Sequence, residues 1–257
     1  LPHAEQLRCP SQKSYDRNSG EWTRMLQSLP PKKVCDVLLG SFLLSVKPLL
    51  PLVNVPTMLD DYKAFWEQTT TRIPVDQESK NGSFVSLLWS VLYCGMVAAS
   101  PSLLAESGIQ MRDSCVFIKQ LRSMLERTLV LSHYTELPTL NGFIAVLLAW
   151  ECDPIANEIL AAPAFVSQAM QVARTLGLHH EESIVSRGKV EAELARRVWY
   201  HVVFLEVYAC VAAGSVLSYG TQESSYNTQL PQPLHDSFLD SERSTRIGVP
   251  SARRPST

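Results

Sequence analysis

The chain has 257 residues, of which 46% are hydrophobic and 19% charged, and its formal net charge is −2. That length holds one large domain or two small ones around a sizeable core. A charge this close to zero supplies no basic field for nucleic acid or an acidic membrane surface, and the charged fraction lies below the ~25% usual for globular domains, which predicts an unusually apolar interior.

Residues 1–30 read as a disordered linker, polar and basic, with six Lys/Arg against three acids between Leu1 and Lys33. Residues 236–257 read as a disordered polar tail, ending in "SERSTRIGVPSARRPST" with four Arg against one acid. Between them, residues 31–235 predict one all-α domain. Sustained period-two alternation is missing, so strands are not expected. The predicted helices run over Lys33–Val46, Thr57–Thr70, Ser83–Ala99, Met111–Ser132, Leu140–Trp150, Ala164–Leu176 and Lys189–Ala213. Pro48, Pro51, Pro56, Pro101, Pro138, Pro154 and Pro163 fall between them, where a residue that breaks the helical ladder belongs.

Several ends have a stated cause. Thr57 is placed to N-cap its helix, with Asp60 three residues on. Gly177 suits the left-handed position after the helix that ends at Leu176, and Leu178 supplies the apolar contact that follows. In the last helix Glu193 and Arg197 lie four apart on one face, a pair worth about 0.3 kcal/mol on a surface. Beyond Trp199 that helix is apolar on every face, which predicts a central buried helix.

The chemistry-bearing residues are sparse. Six cysteines, Cys9, Cys35, Cys94, Cys115, Cys152 and Cys210, are too far apart in sequence for a zinc-ribbon or redox motif. "HHEE" at His179–Glu182 resembles a ligand cluster, yet adjacent residues rarely converge on one ion, so a solvated loop is expected. His201 reads as a hydrogen-bonded core histidine. Arg196 and Arg197 read as partners of helix acids. Nucleophile-elbow, phosphate-loop and dinucleotide-binding patterns are missing, so no catalytic residue and no cofactor is assigned. The uncharged run from Asn81 to Ala105 is interrupted by Ser100-Pro101-Ser102 and reads as buried core rather than a membrane span.

One ordered series of motifs goes further. "ARTLGLHHEES", "EAELARRVWYHVVFLEVYACVAAG" and "YNTQLPQP" together resemble the middle homology region of fungal zinc-cluster transcription factors. The matching positions are Leu176, Gly177, Leu178 and His179, then Glu193, Arg196, Arg197 and Trp199, then Leu230 and Pro231. Upstream, Pro48, Pro51, Pro56 and Thr57 keep the family's opening skeleton. The departures are Asn54-Val55 for His-Arg, Met58 for Phe, Tyr200 for a second Trp, Ser218-Tyr219-Gly220 for Gly-Arg-Pro, and Asn227 for an acid.

The resemblance implies a nuclear regulatory domain, pathway-specific in the manner of secondary-metabolite regulators. Its signature residues would be structural rather than catalytic, and the helical domain would be cut short on its C-terminal side. Partners would be a second copy or other transcription regulators, with a small-molecule effector between helices. DNA, and zinc as the cofactor that DNA binding needs, would enter only through an N-terminal six-cysteine module, of which the first 34 residues hold Cys9 alone. The competing reading is a helical accessory protein or enzyme of a biosynthetic pathway.

Overall fold

A computed structural model describes residues 12–71, 81–110, 113–153, 162–214 and 225–232. These form helices and no strand. In chain order they are α1 (Gln12–Gln27), α2 (Lys32–Ser41) running into a π-helical turn (Phe42–Val46), α3 (Val55–Thr71), α4 (Asn81–Ala98) and α5 (Pro101–Ser107). There follow α6 (Ser114–Leu131), α7 (Leu140–Glu151), α8 (Ala162–Thr175), α9 (Glu181–Val185) and α10 (Lys189–Ala213). The chain divides into two compact units, one from Leu1–Pro48 and Pro74–Cys152, the other from Leu49–Ile73 and Asp153–Thr257. The tail expected over 236–257, and Ser218-Tyr219-Gly220, lie outside the described residues.

The first unit is organised around α4. Val85, Leu88, Val91, Leu92 and Cys94 have no exposure, and Trp89 and Tyr93 almost none. With no charge from Asn81 to Ala98, this helix can be covered by α2, α6 and α7 at once. Its two buried serine hydroxyls are satisfied locally, Ser86 on Gly82 O and Ser90 on Leu87 O. The Ser100-Pro101 break restarts a helix: Ser100 Oγ accepts from the Leu103 amide and Pro101 takes the first position of α5.

Three expectations are corrected here. Residues 1–30 were expected as a linker, but they contain α1, whose Trp22 and Met25 are buried. Met25 Sδ accepts from Thr128 Oγ1 of α6 at 2.8 Å, and Ser28 Oγ reaches Met124 Sδ. Two apolar anchors three residues apart suffice to seat an otherwise polar helix. Second, Thr57 is not the cap of α3. The Asn54 side chain accepts from the Thr57 amide at 3.0 Å, while Thr57 Oγ1 has no partner. Pro56 then falls in the first turn, where its missing N–H has no helical use. Third, the helix buried on all sides is α4, not α10. Phe204, Val207, Tyr208 and Val211 of α10 form one exposed stripe at helical spacing, with Val211 77% exposed.

The second unit contains α3, α8, α9 and α10, and α10 packs along α8. Its bounds, Lys189–Ala213, are those the sequence predicts. No helix among the described residues is long and apolar enough to cross a membrane.

Helix α4 meets α2 at Gly95, where a Cβ would stand 2.9 Å from the Leu38 carbonyl carbon. Backbone cannot move aside as a side chain can, so Gly95→Ala should cost about 2 kcal/mol despite alanine's better helix propensity. Gly40→Ala, in α2 but with open space at its Cβ, should instead stabilise by about 0.5 kcal/mol. Urea midpoints of the two variants check both signs.

Candidate functional site

The corner between α8 and α10 is built by glycine and arginine. After Thr175 the chain turns through Gly177 at φ +70°. The Gly177 amide bonds Arg174 O at 2.9 Å and the Leu178 amide bonds Ala173 O at 3.0 Å, the paired bonds of a Schellman C-cap. Leu178 is fully buried beneath it. A Cβ on Gly177 would also run into Ser183 Oγ. Arg187 closes the corner, its Nη2 donating to Leu176 O at 2.6 Å and its Nη1 to Glu191 at 3.2 Å.

Against this corner lies a strap, residues 225–232, held by hydrogen bonds from both its backbone and its side chains. The Asn227 amide donates to His179 O at 3.1 Å. Asn227 Oδ1 accepts from the Glu181 amide at 2.8 Å, capping α9 from across the chain, and Nδ2 donates to Glu182. Thr228 Oγ1 donates to Leu178 O at 2.7 Å, and Tyr200 OH donates to Thr228 O at 2.9 Å. The amides of Gln229 and Gln232 donate to two carboxylates, Glu181 at 2.9 Å and Glu193 at 3.0 Å. Tyr226 packs on Trp199 with ring centroids 5.4 Å apart.

Arg196 joins the two carboxylates. It forks onto Glu181 with both side chains 13% exposed, and its Nη1 lies 3.6 Å from Glu193. Arg197 Nε adds a bond to Glu193 at 3.2 Å. The Glu193–Arg197 pair expected on a surface is therefore an interior one: the Glu193 side chain is 2% exposed and lies one turn inside the helix. The Arg196 guanidinium, with the Gln229 amide, holds the Glu181 carboxyl below its usual range.

"HHEE" is not a solvated loop. His179 packs between His180 and Trp199, at 3.8 and 6.1 Å between centroids. Burial, with His180 and Arg174 nearby, pushes its imidazole down, which favours the neutral form. Glu181 and Glu182 open α9. No group of three or more potential metal ligands occurs among the described residues.

Of the sequence-selected residues, the structure gathers Leu176, Gly177, Leu178 and His179 at the corner, and Glu193, Arg196, Arg197 and Trp199 on the facing turns of α10. Leu230 and Pro231 belong to the strap, Leu230 exposed at 72%. Pro48 lies in the first unit, whereas Pro51 precedes α3 and Pro56 and Thr57 stand in its first turn. Sequence reasoning missed Asn227, Thr228, Arg187 and the role of Glu181. Asn227 stood out only as a departure, and it fits because aspartate could accept the Glu181 amide but could not donate to Glu182.

The site is a latch: its charged groups are occupied in holding the chain's own backbone within an all-helical scaffold. The fungal specific transcription factor domain matches residues 39–254, and the chain belongs to that family. It is 34% identical over 193 residues to the transcription factor macR of Penicillium terrestre, covering 74% of this chain and 23% of that protein. It is 33% identical over 207 residues to the transcription factor yanR of Aspergillus niger, covering 77% and 25%. The aurofusarin cluster transcription factor aurR2 of Gibberella zeae is 26% identical over 208 residues, covering 79% and 29%. The chain thus spans about a quarter of the length of these relatives. No solved structure matches it.

Two predictions follow from the latch. Removing the buried Glu193 carboxylate leaves Arg196, Arg197 and the Gln232 amide short of a partner, so Glu193→Ala should destabilise by roughly 3 kcal/mol. Glu191→Ala, which breaks a half-exposed pair with Arg187, should change stability by no more than about 0.5 kcal/mol; chemical denaturation of both variants tests the contrast. Glu181 has a lowered folded-state pKa, so the unfolded chain binds more protons around and below the ordinary value of 4.5. Its contribution is complete above that pH and is lost as pH falls through the depressed value. A pH series of unfolding midpoints should therefore fall less steeply in that acid window for Glu181→Gln than for the unsubstituted chain.

Proposed function

We propose that this chain is the regulatory region of a pathway-specific fungal transcription factor acting in the nucleus, and that it restrains activation rather than catalysing a reaction. The family match over residues 39–254 carries this reading. Likeness to an aurofusarin cluster regulator supports a secondary-metabolite setting. In this reading residues 31–235, with α1 seated on α6, are the working domain. The residues Leu176–His179, Glu193, Arg196, Arg197, Trp199, Leu230 and Pro231 keep the latch closed, while Pro48, Pro51, Pro56 and Thr57 shape the approach to α3. DNA contact belongs to a zinc-cluster module outside these residues. Control reaches the region through a second copy, another transcription regulator or a small effector between helices.

The test is a tethered reporter in a fungal nucleus, with the chain placed between an unrelated DNA-binding domain and an activation domain. Output several-fold below that of the direct fusion, partly restored by Glu193→Ala, is the expected result. Equal output from both fusions would overturn the reading.

A further inference from the structure

The seat of α1 on α6 is a reciprocal clasp of two methionines and two hydroxyls. Ser28 Oγ donates to the Met25 carbonyl, three residues back, at 2.6 Å, and reaches Met124 Sδ of α6 at 3.3 Å. Thr128 Oγ1 donates to the Met124 carbonyl, four residues back, at 2.7 Å, and reaches Met25 Sδ of α1 at 2.8 Å. Each hydroxyl thus divides one hydrogen between a carbonyl of its own segment and the sulfur of the other. The two sulfurs are unequally shielded. Met25 is 4% exposed, and Met58, Met96 and Met170 are buried as well. Met124 is half-buried, beside an exposed Ser28. Among the described methionines it is the one that retains surface.

We propose that Met124 is an oxidation site, and that its conversion to the sulfoxide by hydrogen peroxide releases α1 from α6. The inference is independent of the transcriptional reading. A lone pair on Met124 Sδ attacks one oxygen of the peroxide; the S–O bond forms and the O–O bond breaks. The proton on the transferred oxygen passes to the departing hydroxide, which leaves as water. The sulfur has lost two electrons and the peroxide has gained them. Sulfoxide reduction by a dithiol-dependent reductase restores the thioether.

The consequence for α1 follows from what the clasp holds. A thioether is apolar and a weak acceptor, which suits a half-buried seat, whereas a sulfoxide is polar and its oxygen a strong acceptor. Placed at Met124, that oxygen draws the Ser28 hydrogen away from the Met25 carbonyl, or turns to water and withdraws the side chain. Either movement opens the clasp. Helix α1 has little in reserve. It is polar over most of its length, its buried anchors are Trp22 and Met25, and its 16 residues would be marginal as an isolated helix in water. Met25 cannot take the same role while the chain is folded, because its sulfur is shielded and Thr128 Oγ1 already stands against it.

The experiment treats the full chain with hydrogen peroxide, maps added oxygen by peptide mass, and follows amide hydrogen exchange across α1 and α4. Met124 should gain one oxygen before Met25, Met58, Met96 and Met170 do. Exchange over Trp22–Gln27 should then accelerate about tenfold while α4 stays protected, and methionine sulfoxide reductase should reverse the change. Met124→Leu conserves volume and should fold, keep α1 protected and remove its response to peroxide. Met124→Gln should loosen α1 without any peroxide. Oxidation of Met25 as fast as Met124 in the folded chain would overturn the proposal. So would a Met124 sulfoxide that leaves α1 exchange unchanged, or an acceleration that persists in Met124→Leu.

Discussion

A carboxylate inside a helical core is tolerated only where cations and amides surround it, and Glu193 imposes that condition on the second unit. With its side chain 2% exposed, it draws in Arg196, Arg197 and the Gln232 amide. Arg196 then has donors to spare, and they find Glu181 on α9. Glu181 in turn receives the Gln229 amide. One interior charge thus determines why two arginines open α10, why α9 begins with acids, and why the strap lies where it does. The chain-crossing bonds of Asn227 and Thr228 work to the same end, satisfying backbone groups that a helix corner leaves exposed.

The first unit is specified differently. Its central helix carries no charge, and its register against α2 depends on shape, at the point where Gly95 lets backbone approach backbone. Packing is short-ranged and tolerates change only in the neighbours' volume, whereas the latch depends on partners contributed from three stretches of sequence. Substitutions in α4 should therefore act through cavity or clash, and those in α10's first half through stranded charges.

This difference also explains what the sequence reveals. The bounds of α10 and the Gly177 corner were legible because both are local: periodicity and a glycine at a helix end need no distant partner. Asn54 and Thr57 are both good capping residues, and only the fold shows that the side chain accepting an amide is Asn54. The short helices α5 and α9 carry too few residues for periodicity to register. Helix α1 is polar over most of its length, so composition alone reads it as a linker. Helices α4 and α10 are both apolar on most faces, so periodicity alone points to α10 as the central helix where the structure has α4. Which face stays open, as at Phe204 and Val211, is decided by neighbours that no window of sequence contains. The strap was visible as a motif around Leu230-Pro231 but not as a set of bonds, since its binding groups are an amide, a hydroxyl and backbone.

The ionisation of the latch bears on what it can do. A group that moves protons at neutral pH needs a pKa near that pH, which for a carboxylate means burial without compensating charge. Glu181 is displaced the other way, downward, by the guanidinium and amide donors that surround it. A carboxylate so held is a poor acid and a weak base, but a durable acceptor. His179, which could otherwise titrate near neutrality, is pushed toward its neutral form by burial against Trp199 and by positive neighbours. Neither Glu181 nor His179 is thus displaced toward the ionisation that proton transfer at neutral pH would need.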